Sequence, residues 1–337
     1  MGFATVEGDA VSRSLALIIG LACASLAVCA TSSAARAAEQ AKTSLLVVVG
    51  AAGDEQYGKI FAEEAEQWRA TAKTSGVEFA IVGEGDNKAG DKVALQAKLK
   101  QEAAAGDAPL WLVFIGHGTY DGRTAAFNLR GPDVTSTELA DWLKEVARPT
   151  IVVDTTAASA PFLTALSAPH RVVVTATKSG TERNYARFGR YFAKRVIDPT
   201  ADLDKDERTS LFEAYLAAAR DTAEFYKSEG RIQTEHPLLD DDGDGKGIRA
   251  EFFERGRLVK KPTGVQTVDG DLARRLALKP SASDALLTPE QLAERDTLET
   301  ELSELRSRKA QTPENEYFAE LERLLLKLAR LQVEPAK

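Results

Sequence analysis

Leu112-Val113-Phe114-Ile115-Gly116-His117-Gly118 sets an apolar run against a histidine held between two glycines. Uninterrupted Leu, Val, Phe and Ile read as a strand buried on both faces, and the glycines end it. In an open α/β sheet, ligands and catalytic groups collect beyond the carboxyl ends of strands, so His117 stands where chemistry is expected. Gly116 and Gly118 carry no side chain beside it, which lets another backbone approach closely.

The same texture continues on both sides of this run. Apolar strands are expected at residues 45–49, 77–82, 110–115, 150–153 and 171–175, and amphipathic helices at 55–72, 91–104, 136–146 and 185–196. Strands that alternate with helices, and that are apolar on both faces, predict a mostly parallel sheet covered on both sides: a three-layer α/β sandwich.

The next strand carries the second half of the pattern, Ile151-Val152-Val153-Asp154-Thr155-Thr156-Ala157-Ala158-Ser159. With His117 after one strand and this segment after the next, the chain resembles the caspase and legumain peptidases. Val172-Val173-Val174-Thr175-Ala176-Thr177 and Phe188-Gly189-Arg190-Tyr191-Phe192 extend the resemblance, which spans residues 44–196. It implies a caspase-like sheet with a histidine and a cysteine at adjacent strand ends, and it sets Thr156 at the cysteine's position. The only cysteines, Cys23 and Cys29, lie far upstream.

A thiolate is intrinsically nucleophilic, whereas an alcohol needs a well-placed, oriented base. Asp154, which directly precedes the threonines, is expected to point away from Thr155. The chain therefore reads as a degenerate member, a pseudopeptidase that binds a peptide or protein partner without cleaving it, with His117 a relic of the dyad. One alternative is a hydrolase using Thr156 or Ser159 with His117. Another is a structural envelope component assembling through C-terminal helices. Tyr120, Asp121, Arg123, Asn128, Arg130 and Asp133, and later Lys178, Glu182, Arg183 and Asn184, are polar residues on loops near the same strand ends.

Residues 1–37 read as a signal peptide: Arg13 precedes an apolar run at 15–30, and Ala35-Arg36-Ala37 offers a cleavage site. That run is short for a membrane span, so the expectation is a periplasmic or secreted protein with no stable span after signal removal. Lipidation of Cys29 is the rival reading, with Val28 before it where a small residue is usual. After removal no cysteine remains to form a disulfide. A net charge of −8, from 43 basic and 51 acidic residues without a basic cluster interleaved with aromatics, argues against a nucleic-acid partner.

Two acidic loops punctuate the second half of a domain expected at 44–258. Asp202, Asp204, Asp206, Ser210 and Glu213 fall at the first, third, fifth, ninth and twelfth positions of an EF-hand-like loop. Glu207 takes the sixth position, where glycine is usual, so strain is expected there. Asp240, Asp242, Asp244 and Glu251 repeat the spacing with Gly245 in sixth place and Ile248 in ninth. Either loop is a candidate for Ca²⁺.

Residues 259–285, with Pro262, Gly264, Gly270 and Pro280, read as a linker. Residues 286–333 read as a helical hairpin. Thr288-Pro289-Glu290 and Thr312-Pro313-Glu314 open its helices, and Leu292, Leu298, Leu302 and Leu305 face Leu321, Leu324, Leu325, Leu328 and Leu331. A contact between subunits through this hairpin is the alternative use of those leucines.

Overall fold

Period-two burial sets the architecture, seen in a computed structural model that describes Met1 and residues 42–85, 90–106, 108–260 and 268–333. The expected signal peptide lies outside the described residues, and every described element belongs to the unit Lys42–Lys337. Strand β1 (Ser44–Val49) leads to helix α1 (Glu55–Ser75), started by the Asp54 carboxylate and ended at Gly76 with φ 69°. Then come β2 (Glu78–Val82), α2 (Asp91–Ala103) and β3 (Leu110–Ile115). Three short strands follow, β4 (Gly118–Tyr120), β5 (Ala125–Phe127) and β6 (Val134–Thr135), then α3 (Ser136–Leu143).

The second half of the sheet uses β7 (Thr150–Asp154), α4 (Ala160–Leu166), β8 (Arg171–Thr175) and α5 (Phe188–Arg195). Helix α6 (Leu211–Ser228), β9 (Leu238–Asp240), β10 (Ile248–Arg249) and the hairpin β11 (Phe253–Glu254) to β12 (Arg257–Leu258) come next. A short α7 (Asp271–Arg275) precedes the C-terminal pair α8 (Pro289–Ser307) and α9 (Glu314–Val333).

The main sheet has seven strands in the order β10-β9-β8-β7-β3-β1-β2. Strands β2, β1, β3, β7 and β8 run parallel, β9 pairs antiparallel with β8, and β10 pairs antiparallel with β9. Alternate residues feed two cores. Leu45, Val47, Trp111, Val113, Ile151 and Val153 pack against α1, α5 and α6, where Trp68, Phe188 and Tyr215 are buried. Leu46, Val48, Leu112, Phe114 and Val152 pack against α2, α3 and α4 through Leu95, Leu139 and Phe162. The expected three-layer α/β sandwich is thus borne out. Each fully buried large side chain contributes roughly 1.5–3 kcal/mol.

Two features depart from the sequence reading. The chain between β3 and α3 forms a separate antiparallel sheet, β4-β5-β6, rather than a plain loop. The expected linker carries α7 and a short 3₁₀ turn, with Ala273 buried and Ser210 bridged to Ala277. Its anchor is Asp241, whose carboxylate accepts the Gly270 and Ala273 N–H groups.

The C-terminal hairpin has its own small core of Leu298, Leu302, Leu305, Tyr317 and Leu324. Thr288 and Gln291 cap α8 reciprocally, with proline in the first turn. Arg208 ties α8 to the sandwich through Glu299 at 2.8 Å, and Arg275 does so through Thr300. Among the described residues no helix is long and apolar enough to cross a membrane.

Candidate functional site

Strands β3 and β7 pair with Phe114 opposite Asp154, so the segments after them leave the same edge of the sheet side by side. His117 and Thr156 therefore sit at adjacent strand ends. Their side chains turn apart. The His117 ring leans over the β1 side, with Nε2 3.2 Å from the Ala52 carbonyl oxygen. Tyr57 and Phe61 of α1 pack on it edge to face, at 4.6 and 5.1 Å between centroids.

Thr156 is fully buried. Its hydroxyl donates to Asp154 Oδ1 at 2.7 Å, and its N–H reaches the same oxygen at 3.0 Å. Gly118 lies directly against it: a Cβ there would come within 2.4 Å of both Thr156 Oγ1 and the Ala157 carbonyl oxygen. Only a glycine allows this approach. Asp154 is itself buried, and desolvation pushes its carboxyl up to about 6 against the pull of the two Thr156 hydrogen bonds.

Strand β7 ends at Asp154, whose carboxylate closes a turn on the N–H and hydroxyl two residues on, which is why Asp154 meets Thr156 and not Thr155. Thr155 turns the other way, donating from its hydroxyl to the Phe114 carbonyl at 2.7 Å. The contact between Asp154 and Thr156 is therefore legible in their spacing, two residues apart rather than one.

Ser159 is also fully buried and its oxygen is in use. It accepts the Ala176 and Thr177 N–H groups at 3.1 and 3.2 Å and pairs with the Thr177 hydroxyl at 3.1 Å. This fastens the turn after β7 to the end of β8. Ala158, between the two hydroxyl residues, has φ 54° and donates its N–H to the Glu182 carbonyl at 2.8 Å. No hydrogen bond joins His117 to either alcohol.

The polar loop residues serve largely as internal ties. Asp121 accepts two N–H groups of its own turn, and Asn128 donates to Asp133. Arg130 grips Asp91 with two nitrogens at 2.7 and 2.9 Å. Glu182 meets His236 Nδ1 at 2.5 Å, a pairing across 54 residues that no local sequence signal announces. Arg183 donates to the Tyr120 carbonyl, and the Tyr120 ring lies where a side chain on Gly180 would be. The loop after β8 is thereby held down over this edge.

The acidic loops form matching turns. Asp202 accepts the N–H groups of Lys205 and Glu207, and Asp240 accepts those of Gly243 and Gly245, the fourth and sixth positions in each case. Glu207 has φ 69° and Gly245 φ 73°, so the expected strain at Glu207 is present. In each loop the three aspartates bring a carboxylate oxygen within 4.8 Å of one another.

The twelfth positions behave differently. Glu213 spends one oxygen on the Leu203 and Asp204 N–H groups and the other on Ser210, as the capping box of α6. Glu251 lies in a 3₁₀ turn and pairs with Arg249 at 2.8 Å. Asp269, absent from the sequence reading, accepts the Asp241 N–H at 3.0 Å. Burial, with Asp241, Asp242 and Asp240 nearby, pushes its carboxyl up to about 8.

The fold and this edge define a mostly parallel α/β sandwich with a histidine and a buried hydroxyl pair at adjacent strand ends. Among solved structures the chain is similar to the Drosophila initiator caspase Dronc, at 13% identity and a TM-score of 0.42, covering 62% of this chain and 82% of that one. It is similar also to caspase-1 from Spodoptera frugiperda, at 11% identity and a TM-score of 0.41, covering 59% and 86%. Raptor from Chaetomium thermophilum aligns at 11% identity and a TM-score of 0.34, over 47% of this chain but only 18% of that one. No protein-family model and no curated protein sequence matches the chain.

Proposed function

We propose that the chain is an exported, peptidase-like protein that binds a peptide or protein partner at the carboxyl edge of its sheet and does not cleave it. The observation that carries this reading is the state of Thr156. Its hydroxyl is buried, donates to Asp154 and lies under the Gly118 backbone, so it offers no accessible nucleophile, and His117 turns its Nε2 to the Ala52 carbonyl instead. Ser159 is likewise committed to the β8 backbone.

The test is a diverse peptide library incubated with the purified protein and with His117→Ala and Thr156→Ala variants. The expectation is no cleavage by any of the three while each remains folded. Turnover by the parent that both variants lose would establish alcohol-based hydrolysis instead.

A second proposal concerns metal. The repeated turn geometry and oxygen-only donors of the two acidic loops suit a hard cation, Ca²⁺ above Mg²⁺ because the loops are open and carboxylate-rich. The 240–244 loop is the better candidate, because glycine fills its left-handed sixth position, Gly245 at φ 73°, where the 202–206 loop strains Glu207 at φ 69°. Millimolar Ca²⁺ should raise the melting temperature, and Asp242→Asn with Asp244→Asn should abolish the shift. An unchanged melting temperature in the parent would remove calcium from the description.

A further inference from the structure

A cavity of about 380 Å³ opens between α1 and the start of α5, beside His117 but outside the Thr156 region. That volume lies within the roughly 300–1,000 Å³ usual for small-molecule sites. One wall is cationic. Arg187, the residue before α5, and Arg190 and Lys194 within it follow one another at helical spacing and line the cavity together. Among the described residues none of the three forms an ion pair within 4 Å, although Arg187 Nη1 donates to the Tyr185 carbonyl at 3.5 Å and Arg190 lies close enough to Glu64 to act on its carboxyl. Glu63, on the opposite wall, reaches none of them.

The other surfaces are aromatic. Tyr57 and Tyr185 approach at 5.3 Å between centroids, and Phe225 and Tyr191 complete the lining. The half-buried Arg187 guanidinium lies 4.7 Å from the Phe225 ring and 5.7 Å from the Tyr185 ring, which holds its planar fork against the aromatic wall. Glu64 at the base is 6% exposed and accepts the Tyr185 hydroxyl at 3.0 Å. Burial pushes its carboxyl up to about 7, so it offsets the cationic wall only in part near neutrality.

A guanidinium fork, two further cations and flat apolar faces are complementary to one kind of ligand. We propose that this cavity binds a small aromatic carboxylate, with the carboxylate on the Arg187, Arg190 and Lys194 wall and the ring among Tyr57, Tyr185 and Phe225. Charge-assisted hydrogen bonds hold the anion, and ring contacts hold the rest. Tyr57 packs on His117, so occupancy is felt at that ring. The site is separate from Thr156 and stands whether or not the chain cleaves peptides.

The test is calorimetric titration of the full chain with phenylacetate, its neutral isostere phenylacetamide, and inorganic phosphate, with the His117 ring protons followed by NMR. Phenylacetate should bind and shift the His117 signals, and phenylacetamide and phosphate should each bind at least tenfold more weakly. Arg190→Gln with Lys194→Gln, both exposed positions, should weaken phenylacetate at least tenfold with no change in melting temperature. Equal binding of phenylacetamide would overturn the cationic half of the proposal, and equal binding of phosphate the aromatic half. No phenylacetate binding at millimolar concentration, or binding that leaves His117 and the double variant unaffected, would overturn it entirely.

Discussion

Replacing Asp154 by asparagine isolates the one ionisable group in contact with Thr156. Asp154 is 1% exposed, and desolvation moves its carboxyl from 3.8 up to about 6. A value raised on folding means that the folded state holds the proton more tightly. The stabilisation from that proton is complete below the unfolded value and is lost as pH rises through about 6. A shift of about two units, at about 1.4 kcal/mol per unit, makes the loss about 3 kcal/mol between pH 3 and pH 7.5.

Asparagine keeps the oxygen that accepts both Thr156 donors but has no proton to lose. Urea unfolding of parent and Asp154→Asn across this range should therefore give curves that diverge, the variant gaining about 3 kcal/mol on the parent from acid to neutral pH. Any cost of seating the new amide N–H₂ shifts the variant equally at every pH and leaves the divergence intact. Glu64, Asp241 and Asp269 are also raised, to about 7, 6 and 8, but they are common to both proteins and cancel. Parallel curves, or a parent that gains on the variant as pH rises, would refute the reasoning. The second result would mean that the site stabilises the carboxylate anion.

Three further substitutions probe the packing around this edge and the hairpin. Gly118→Ala drives a Cβ within 2.4 Å of Thr156 Oγ1 and a backbone oxygen, and should cost at least about 1–3 kcal/mol in thermal or urea unfolding. Ser159→Ala leaves the buried Thr177 N–H without its acceptor, while the Ala176 N–H keeps the Asp154 carbonyl at 3.0 Å, and should cost about 1–3 kcal/mol, with faster hydrogen exchange at the Thr177 amide as its specific sign. Leu324→Ala, at a fully buried position, should destabilise the hairpin by about 2–5 kcal/mol, read as faster hydrogen exchange in α8 and α9. An unaltered exchange rate there would mean that the leucine stripe does not hold the two helices together.

Strand positions were the most legible part of the fold, because burial on both faces writes an unbroken apolar run. Residues 110–115 and 171–175 match β3 and β8 residue for residue. Helix starts were less legible where a distant residue fixes them. Helix α5 begins at Phe188 rather than 185 because the Glu235 carboxylate accepts the Arg187 and Phe188 N–H groups from 48 and 47 residues away. The β4-β5-β6 sheet went unread because its strands of three, three and two residues are too short for a periodicity.

At the candidate site, spacing alone brings His117 and Thr156 to neighbouring strand ends. Which way each side chain turns depends on Tyr57, Phe61 and Gly118, and two of those lie more than fifty residues upstream. The acidic loops were legible because their hydrogen bonds are local. Asp269 and the cavity at α5 were not, because Asp269 meets Asp241 across 28 residues and Tyr185 meets Glu64 across 121.

The two margins of the main sheet are unlike. On one side β10 is two residues long and passes at once into a 3₁₀ turn, so few backbone groups are free to recruit another chain. On the other, β2 runs for five residues and, among the described residues, pairs only with β1. An extended peptide that lengthened this sheet would thus add at β2, parallel or antiparallel, beside the Arg69 guanidinium that lies over Phe79. Strand addition is thereby directed to the margin farthest from the acidic 240–244 loop.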